Sequence, residues 1–241
     1  MKMIQKLCIG LLCFGFGALQ AQNEPVVEHS ALDGTWYMIT RFQETKIQME
    51  GNQWSSQRLN EDGTPGDSDR DTIQVVEAYP NGLRLMYDVG RKRYGLALFS
   101  LNETKDRISI TLVDEEKGKE DLQALAESFD ISTVSEFREQ RVIYSEEKRN
   151  ALWASPGLDE LTAADMKTVL TTRKNWETRM KEDYLSKNPQ ETELPYKMYR
   201  QISYYMDGLF IQKGYNPYKQ VPYNFEEQFK DHPDIIKLLQ E

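Results

Sequence analysis

Between Asp71 and Asp114, apolar and polar residues mostly alternate along four short segments that are separated by turn-forming residues. A period of two places the apolar side chains on one face of an extended strand. The first turn contains Pro80, Asn81 and Gly82, which favour a tight reversal of the chain. The pattern therefore predicts four consecutive antiparallel strands, whose apolar face must be covered by another layer or by closure of the sheet.

After about residue 115, the apolar residues recur at helical spacing. A capping box at Thr162 predicts the start of a long helix that ends before Pro189. Pro195 is well placed as the first residue of the next helix. The predicted fold class is α+β, with a β domain over residues 22–145 and a helical C-terminal region over residues 146–241 that packs on it.

The strand that precedes the meander begins with Gly34-Thr35-Trp36-Tyr37. This segment resembles the Gly-x-Trp motif that opens lipocalins and lipocalin-like domains of secreted bacterial proteins. The resemblance covers at most residues 30–145, and Gly34 and Trp36 carry it. It implies an up-and-down β-barrel that Trp36 closes at one end, with an apolar cup for a small ligand. It also implies a basic residue from a late strand above Trp36, which the sequence does not identify.

Two features depart from the lipocalin pattern. Six strands, or seven if Val142-Ile143-Tyr144 is one, can be counted where the family usually has eight. In addition, a long helical region follows, where lipocalins usually have one helix and a short strand. An alternative therefore stays open at this point: a curved sheet covered by the C-terminal helices, with Trp36 as an ordinary core residue.

The motif and the amphipathic meander predict a non-catalytic binding protein for a small apolar or aromatic ligand. Inward-facing apolar residues would hold this ligand. The candidates are Met38 on the first strand, and Leu85 and Tyr87 in the meander.

Tyrosine is concentrated near the C-terminus, because eight of the 13 tyrosines lie between residues 184 and 223. Exposed tyrosines are common at protein interfaces. The alternative function is therefore an interaction subunit of a bacterial cell-envelope complex, while packing of the tyrosines against the β layer is the simpler explanation. The candidates for partner contacts, which lie off the apolar helix stripe, are Tyr196, Tyr204, Tyr215, Tyr218 and Tyr223.

The first 21 residues have the layout of a secretory signal. A short basic segment precedes the apolar run Leu7–Gly17, which is too short to span a bilayer, and Ala21 is a suitable cleavage position. Export to the periplasm or beyond is therefore predicted. The segment contains both cysteines and two of the 30 basic residues but none of the 39 acidic residues, so the mature chain would carry a net charge of −11. This charge argues against binding to nucleic acid or to anionic membranes.

Common catalytic and metal-binding patterns are missing from the sequence. A mature chain without cysteine, whose only histidines are His29 and His232, offers few ligands for zinc and few nucleophile–base pairs. The acidic segment Asp67–Asp71 resembles a calcium loop, but Thr72 and Ala78 occupy the positions that require Gly and Glu. We therefore predict no metal and no cofactor. The sequence favours a non-catalytic role and leaves open an enzyme that uses carboxylates alone.

Overall fold

The computed structural model of the protein describes residues 29–40, 43–60, 63–66, 71–136, 138, 140–219 and 224–240. The predicted export signal, residues 67–70 of the acidic segment and Tyr223 lie outside the described residues. Within the described ranges, no helix combines the length and the apolar character needed to cross a membrane.

Eight strands form the N-terminal part of the chain. They are β1 (Gly34–Ile39), β2 (Glu44–Glu50), β3 (Gln53–Leu59), β4 (Asp71–Ala78), β5 (Leu83–Asp88), β6 (Arg93–Leu101), β7 (Arg107–Asp114) and β8 (Gln140–Ser145). Each strand pairs antiparallel with the next, and β8 pairs with β1, so the sheet closes into a barrel. Together with the helices that follow, this barrel confirms the predicted α+β class. It also excludes the open curved sheet.

The structure has eight strands where apolar alternation predicts six or seven, because β3 carries a weak signal. A turn at Gly51, with a φ of 54°, separates β2 from β3. On β3 both faces contain polar residues, such as Ser55 and Ser56, so apolar alternation is almost absent. Backbone pairing to β2 and β4 makes it a strand regardless of this pattern.

The first strand and the turn before it close one end of the barrel, which we call the Trp36 end. The indole Nε1 of buried Trp36 donates a hydrogen bond to the backbone oxygen of Leu32, at 2.8 Å. Gly34 has a φ of 138°, a conformation that residues with a Cβ rarely adopt. Asp33 accepts a hydrogen bond from the backbone N–H of Gly51 at 2.9 Å, which connects this segment to the β2–β3 turn.

Large side chains fill the barrel next to Trp36. Trp54 and Phe99 meet edge to face, with 4.9 Å between ring centroids. The buried members of this interior cluster are Leu32, Trp36, Met49, Trp54, Val75, Ala97, Phe99, Leu101, Ile108 and Ile143.

A helix covers the outer face of two strands. In α1 (Lys119–Ser128), Leu122 and Ala126 are buried. They pack against the outward-facing apolar residues of β5 and β6, which are Leu83, Leu85 and Leu96. The barrel is therefore apolar on both faces in this sector.

The remaining helices form a second layer. They are α2 (Glu146–Ala154), α3 (Ala163–Lys187), α4 (Tyr196–Gln212), α5 (Phe225–Gln228) and α6 (Pro233–Gln240). The predicted capping residue is confirmed, because Thr162 Oγ1 accepts a hydrogen bond from the backbone N–H of Asp165 at 3.1 Å. Met166, Phe210 and Ile235 contribute to a core that α3, α4 and α6 share.

The helical layer rests on the outer face of β1 and β8. Tyr37, Ile39 and Tyr144 are buried there against Leu152 of α2. Ile211 of α4 packs against the same cluster. The first and last strands of the barrel thus form the platform for the helices.

Candidate functional site

Strand pairing assigns the residues of the barrel to its two faces, because directly opposite residues in an antiparallel pair lie on the same face. Trp36 is opposite Ile47, and Ile47 is opposite Ser56. Both Trp36 and Ile47 belong to or pack against the interior cluster, so this row faces inward. Tyr37 is opposite Lys46, and this row faces outward.

Five inward-facing apolar residues differ from the buried residues around Trp36. They pack against the interior cluster but keep part of their surface in contact with solvent. Such partial exposure on the inner face of a closed barrel is expected where side chains do not fill the interior completely. We call this concave surface the cup, and its residues are Met38, Ile47, Ile73, Met86 and Ile110.

Polar residues lie on the inner face towards the end of the barrel opposite Trp36, which we call the rim. Thr45 is buried and lies between Met38 and Arg58 in the strand register. Arg141, near the start of β8, is opposite Ile110. Arg58 and Arg141 are exposed, and within the described ranges neither forms an ion pair. Asp88 of β5, which pairs with Arg91, is on the same face because it is opposite Ile73. The cup therefore has apolar walls, and its opening carries two cationic residues that have no ion pair among the described residues.

Trp54 contributes a polar atom to the interior cluster. Its indole Nε1 is buried and has no hydrogen-bond partner among the described residues. Trp36 differs, because the oxygen of Leu32 accepts its indole hydrogen. A buried donor without a partner is costly.

Arg84 is a buried cation at the Trp36 end. Its guanidinium lies 5.2 Å from the ring centroid of Phe99, and Nη1 donates to the backbone oxygen of Gly82 at 3.1 Å. Burial lowers the pKa of this guanidinium. The lipocalin resemblance implied a basic residue from a late strand above Trp36, whereas Arg84 comes from β5 and lies over Phe99.

The structure separates the three residues that the sequence suggested for ligand contact. Met38 lies in the cup. Leu85 is fully buried beneath α1 on the outer face of the barrel, and the ring of Tyr87 packs against that of Tyr94 at 4.8 Å between centroids. We therefore correct the grouping: Leu85 and Tyr87 do not face the cup, because Arg84 and Met86 are the inward residues of β5.

The predicted partner tyrosines differ in their exposure to solvent. Tyr196 is 81% exposed and Tyr204 is 44% exposed on α4. Tyr215 is buried, and its hydroxyl donates to Asp165 Oδ2 at 3.1 Å. Tyr218 packs against the cluster at the base of the helical layer. Tyr199, which was not among these candidates, is 50% exposed and adds to the α4 surface.

Potential metal ligands are dispersed over the described part of the chain. No group of three or more His, Cys, Asp or Glu residues there is arranged to hold a metal ion. His232 lies next to Phe229, with 6.2 Å between ring centroids.

Comparison with protein-family models, with curated proteins and with solved structures found no match. The closed eight-stranded barrel and the geometry of its interior therefore carry the functional argument.

Proposed function

We propose that the barrel binds one small, mainly apolar molecule in the cup, and that the chain is an exported, non-catalytic binding protein. The observation that carries this proposal is the partial exposure of five apolar residues on the inner face of a closed barrel. Transfer of apolar surface from water to an apolar contact stabilises by about 25 cal/mol per Å². An apolar ligand of matching shape would therefore replace water in the cup.

The polar groups around the cup define the expected ends of the ligand. Arg58 and Arg141 on the rim favour a polar or anionic group at the opening. The apolar interior cluster around Trp54 favours the apolar part of the ligand at the deep end. We therefore expect an elongated molecule with an apolar body, such as a medium-chain fatty acid or an aromatic carboxylate.

A fluorescent ligand titration tests the proposal. The probe is the neutral apolar dye N-phenyl-1-naphthylamine, excited directly so that protein tryptophans do not contribute. We expect saturable binding with one site per chain. Replacing Met38 by Trp would fill the cup, and we expect affinity to fall at least tenfold. Decanoate should displace the dye from the parent protein.

Ile131 offers a matched control, because it is an exposed apolar residue outside the barrel. Ile131→Trp should bind the dye like the parent protein. Circular dichroism and urea unfolding establish that both variants are folded. Equal affinity in the Met38→Trp variant and the parent would contradict binding in the cup.

The export part of the proposal rests on the N-terminal sequence alone. We expect removal of residues 1–21, so that the mature protein begins at Gln22. N-terminal sequencing of the protein from the periplasm or the medium of its host would verify this boundary. An intact Met1 in the recovered protein would contradict it.

A second candidate function is favoured by the exposed tyrosines of α4. Tyr196, Tyr199 and Tyr204 expose large ring surfaces on a folded helix, as interface residues do. In this alternative, the helical layer docks to another protein of the cell envelope. Cross-linking in the envelope should then trap a stoichiometric partner that is lost when all three tyrosines become serine. A control with Val89 and Ile131 changed to serine should keep it.

A further inference from the structure

The outer face of the barrel carries a pocket that is separate from the cup. Its floor is a row of three residues across β1, β2 and β3: Tyr37 is opposite Lys46, and Lys46 is opposite Gln57. This row faces away from the interior, because Ile47 on the same strand packs inward. The pocket has a volume of about 370 Å³, within the range of small-molecule sites.

Two walls enclose the row. On one side the chain after β3 folds back, with Leu59 and Pro65 forming a backbone bridge. The backbone N–H of Gly66 also donates to the oxygen of Arg58 at 2.9 Å. On the other side lies Arg149 of α2. The pocket therefore joins apolar surface at Leu59 and Pro65 to polar groups on the strands.

Arg149 is held rigidly in place. Its Nη2 donates to Glu44 Oε2 at 2.7 Å, and its Nε donates to Oε1 of the same carboxylate. The guanidinium also lies 4.8 Å from the ring centroid of Tyr37. A paired and stacked guanidinium is already oriented before a ligand arrives, which reduces the entropy lost on binding.

The floor of the pocket is rich in hydrogen-bond donors. The ammonium of Lys46 and the side chains of Tyr37 and Gln57 make no hydrogen bond or ion pair with other described residues. Burial, with a further contribution from Glu146, raises the pKa of Tyr37, so its hydroxyl keeps its proton at neutral pH and can donate. Two of the described lining residues are cationic, and none is a carboxylate.

We propose that this pocket binds a small organic anion, with its oxyanion group on Lys46 and Tyr37 and its apolar part against Leu59 and Pro65. Charge favours this class at Lys46, whose ammonium has no carboxylate partner among the described residues, whereas the charge of Arg149 is already paired with Glu44. Carboxylates and phosphate monoesters share the required chemistry, and the test distinguishes them. The site is independent of the cup, from which the barrel wall separates it.

The experiment measures binding of benzoate, phenyl phosphate and neutral benzyl alcohol by two-dimensional NMR of the full mature chain. We expect saturable shifts at Lys46 and Gln57 with one or both anions and none with benzyl alcohol. Binding of only one anion assigns the carboxylate or the phosphate class. Affinity should fall as salt rises. Absence of saturable shifts with both anions at millimolar concentration would overturn the proposal.

Substitutions in the pocket test which residues bind the oxyanion group of the ligand. Lys46→Gln removes the charge from an exposed side chain, and we expect affinity to fall about tenfold. Lys197→Gln, at an exposed lysine on α4 that forms no ion pair with another described residue, is the matched control and should bind normally. Tyr37→Phe keeps the ring under Arg149 and should weaken binding several-fold. Met38→Trp, which changes the cup, should leave the anion-induced shifts at Lys46 unchanged. If Lys46→Gln and Lys197→Gln weakened anion binding equally, the proposed site would be wrong.

Discussion

The two ends of the barrel are built from the same eight strands but differ in how completely side chains fill the interior. At the Trp36 end, a buried indole is hydrogen-bonded to Leu32, and large apolar residues fill the interior. Towards the rim, apolar residues such as Met38 and Ile110 remain partly exposed. A filled end supplies packing energy, whereas an incompletely filled end leaves room for a ligand. Stability and binding are therefore expected to separate along the barrel axis.

The largest expected effect is the loss of the indole at the Trp36 end. Trp36→Ala removes a buried side chain and leaves a cavity, so we expect the free energy of unfolding to fall by about 3–5 kcal/mol. Urea denaturation measures this change. Met38→Ala, at a partly exposed position in the cup, should cost much less. Equal costs at the two positions would mean that the two ends are packed alike.

The free energy of unfolding at alkaline pH tests the contribution of buried Tyr144, which lies on the platform that carries the helical layer. Burial raises the pKa of Tyr144 to about 12. The cation of Arg107 opposes this rise, and the carboxylates of Asp207 and Asp106 add to it. Because the unfolded chain deprotonates first, near pH 10, this contribution to stability is complete below pH 10 and is lost as the pH rises to about 12. We expect a loss of up to about 3 kcal/mol.

Tyr144→Phe is the control for this series, because it keeps the ring and removes the titrating group. The parent protein should lose more stability than the variant between pH 10 and pH 12 in urea melts. Parallel pH profiles would show that another group causes the alkaline loss.

Substitution of two glycines tests whether the backbone conformation at the Trp36 end requires glycine. Gly34 has a φ of 138°, so Gly34→Ala should destabilise by about 2 kcal/mol through strain. Gly208 lies inside α4, and a Cβ added there meets no atom within 4 Å. Gly208→Ala should therefore stabilise by about 0.5–1 kcal/mol. Thermal unfolding compares the two, and a neutral Gly34→Ala would remove the conformational explanation of the motif.

The smallest expected effect concerns the rim and is selective. Changing Arg58 or Arg141 to Gln should weaken decanoate binding by about tenfold or less, since each removes one exposed charge near the ligand. The neutral dye should bind as before. Dye titrations and their displacement by decanoate measure the affinities for the two ligands. A uniform loss for neutral and anionic ligands would place these arginines in a structural role.

Local patterns predicted much of this architecture. The helix cap at Thr162 and the turn at Pro80-Asn81-Gly82 involve residues close in sequence, and the structure contains both. The strands of the meander were also predicted from alternation. Of the three residues proposed for ligand contact, Met38 faces the barrel interior, whereas Leu85 and Tyr87 are on the outer face. The tyrosine candidates were divided, because exposure on α4 depends on which helix faces are covered.

The error on β5 shows why the rest could not be predicted. Leu83, Leu85 and Tyr87 alternate as an apolar face, and sequence reasoning assigned such a face to the interior. The structure covers it from outside with α1, while the inward face of the strand carries Arg84 and Met86. Alternation reports that a face is buried but not which layer buries it.

The sequence by itself determined the α+β class, the meander and the limits of the longest helix, because hydrophobic period, capping and turn chemistry act over a few residues. Only the tertiary structure decided that the sheet closes. Closure depends on the pairing of β1 with β8, about a hundred residues apart, which leaves no local signature. The same closure defines an inside and an outside. It therefore places Met38 in the cup and its neighbour Tyr37 in the outer pocket, one residue apart on opposite faces of a single strand.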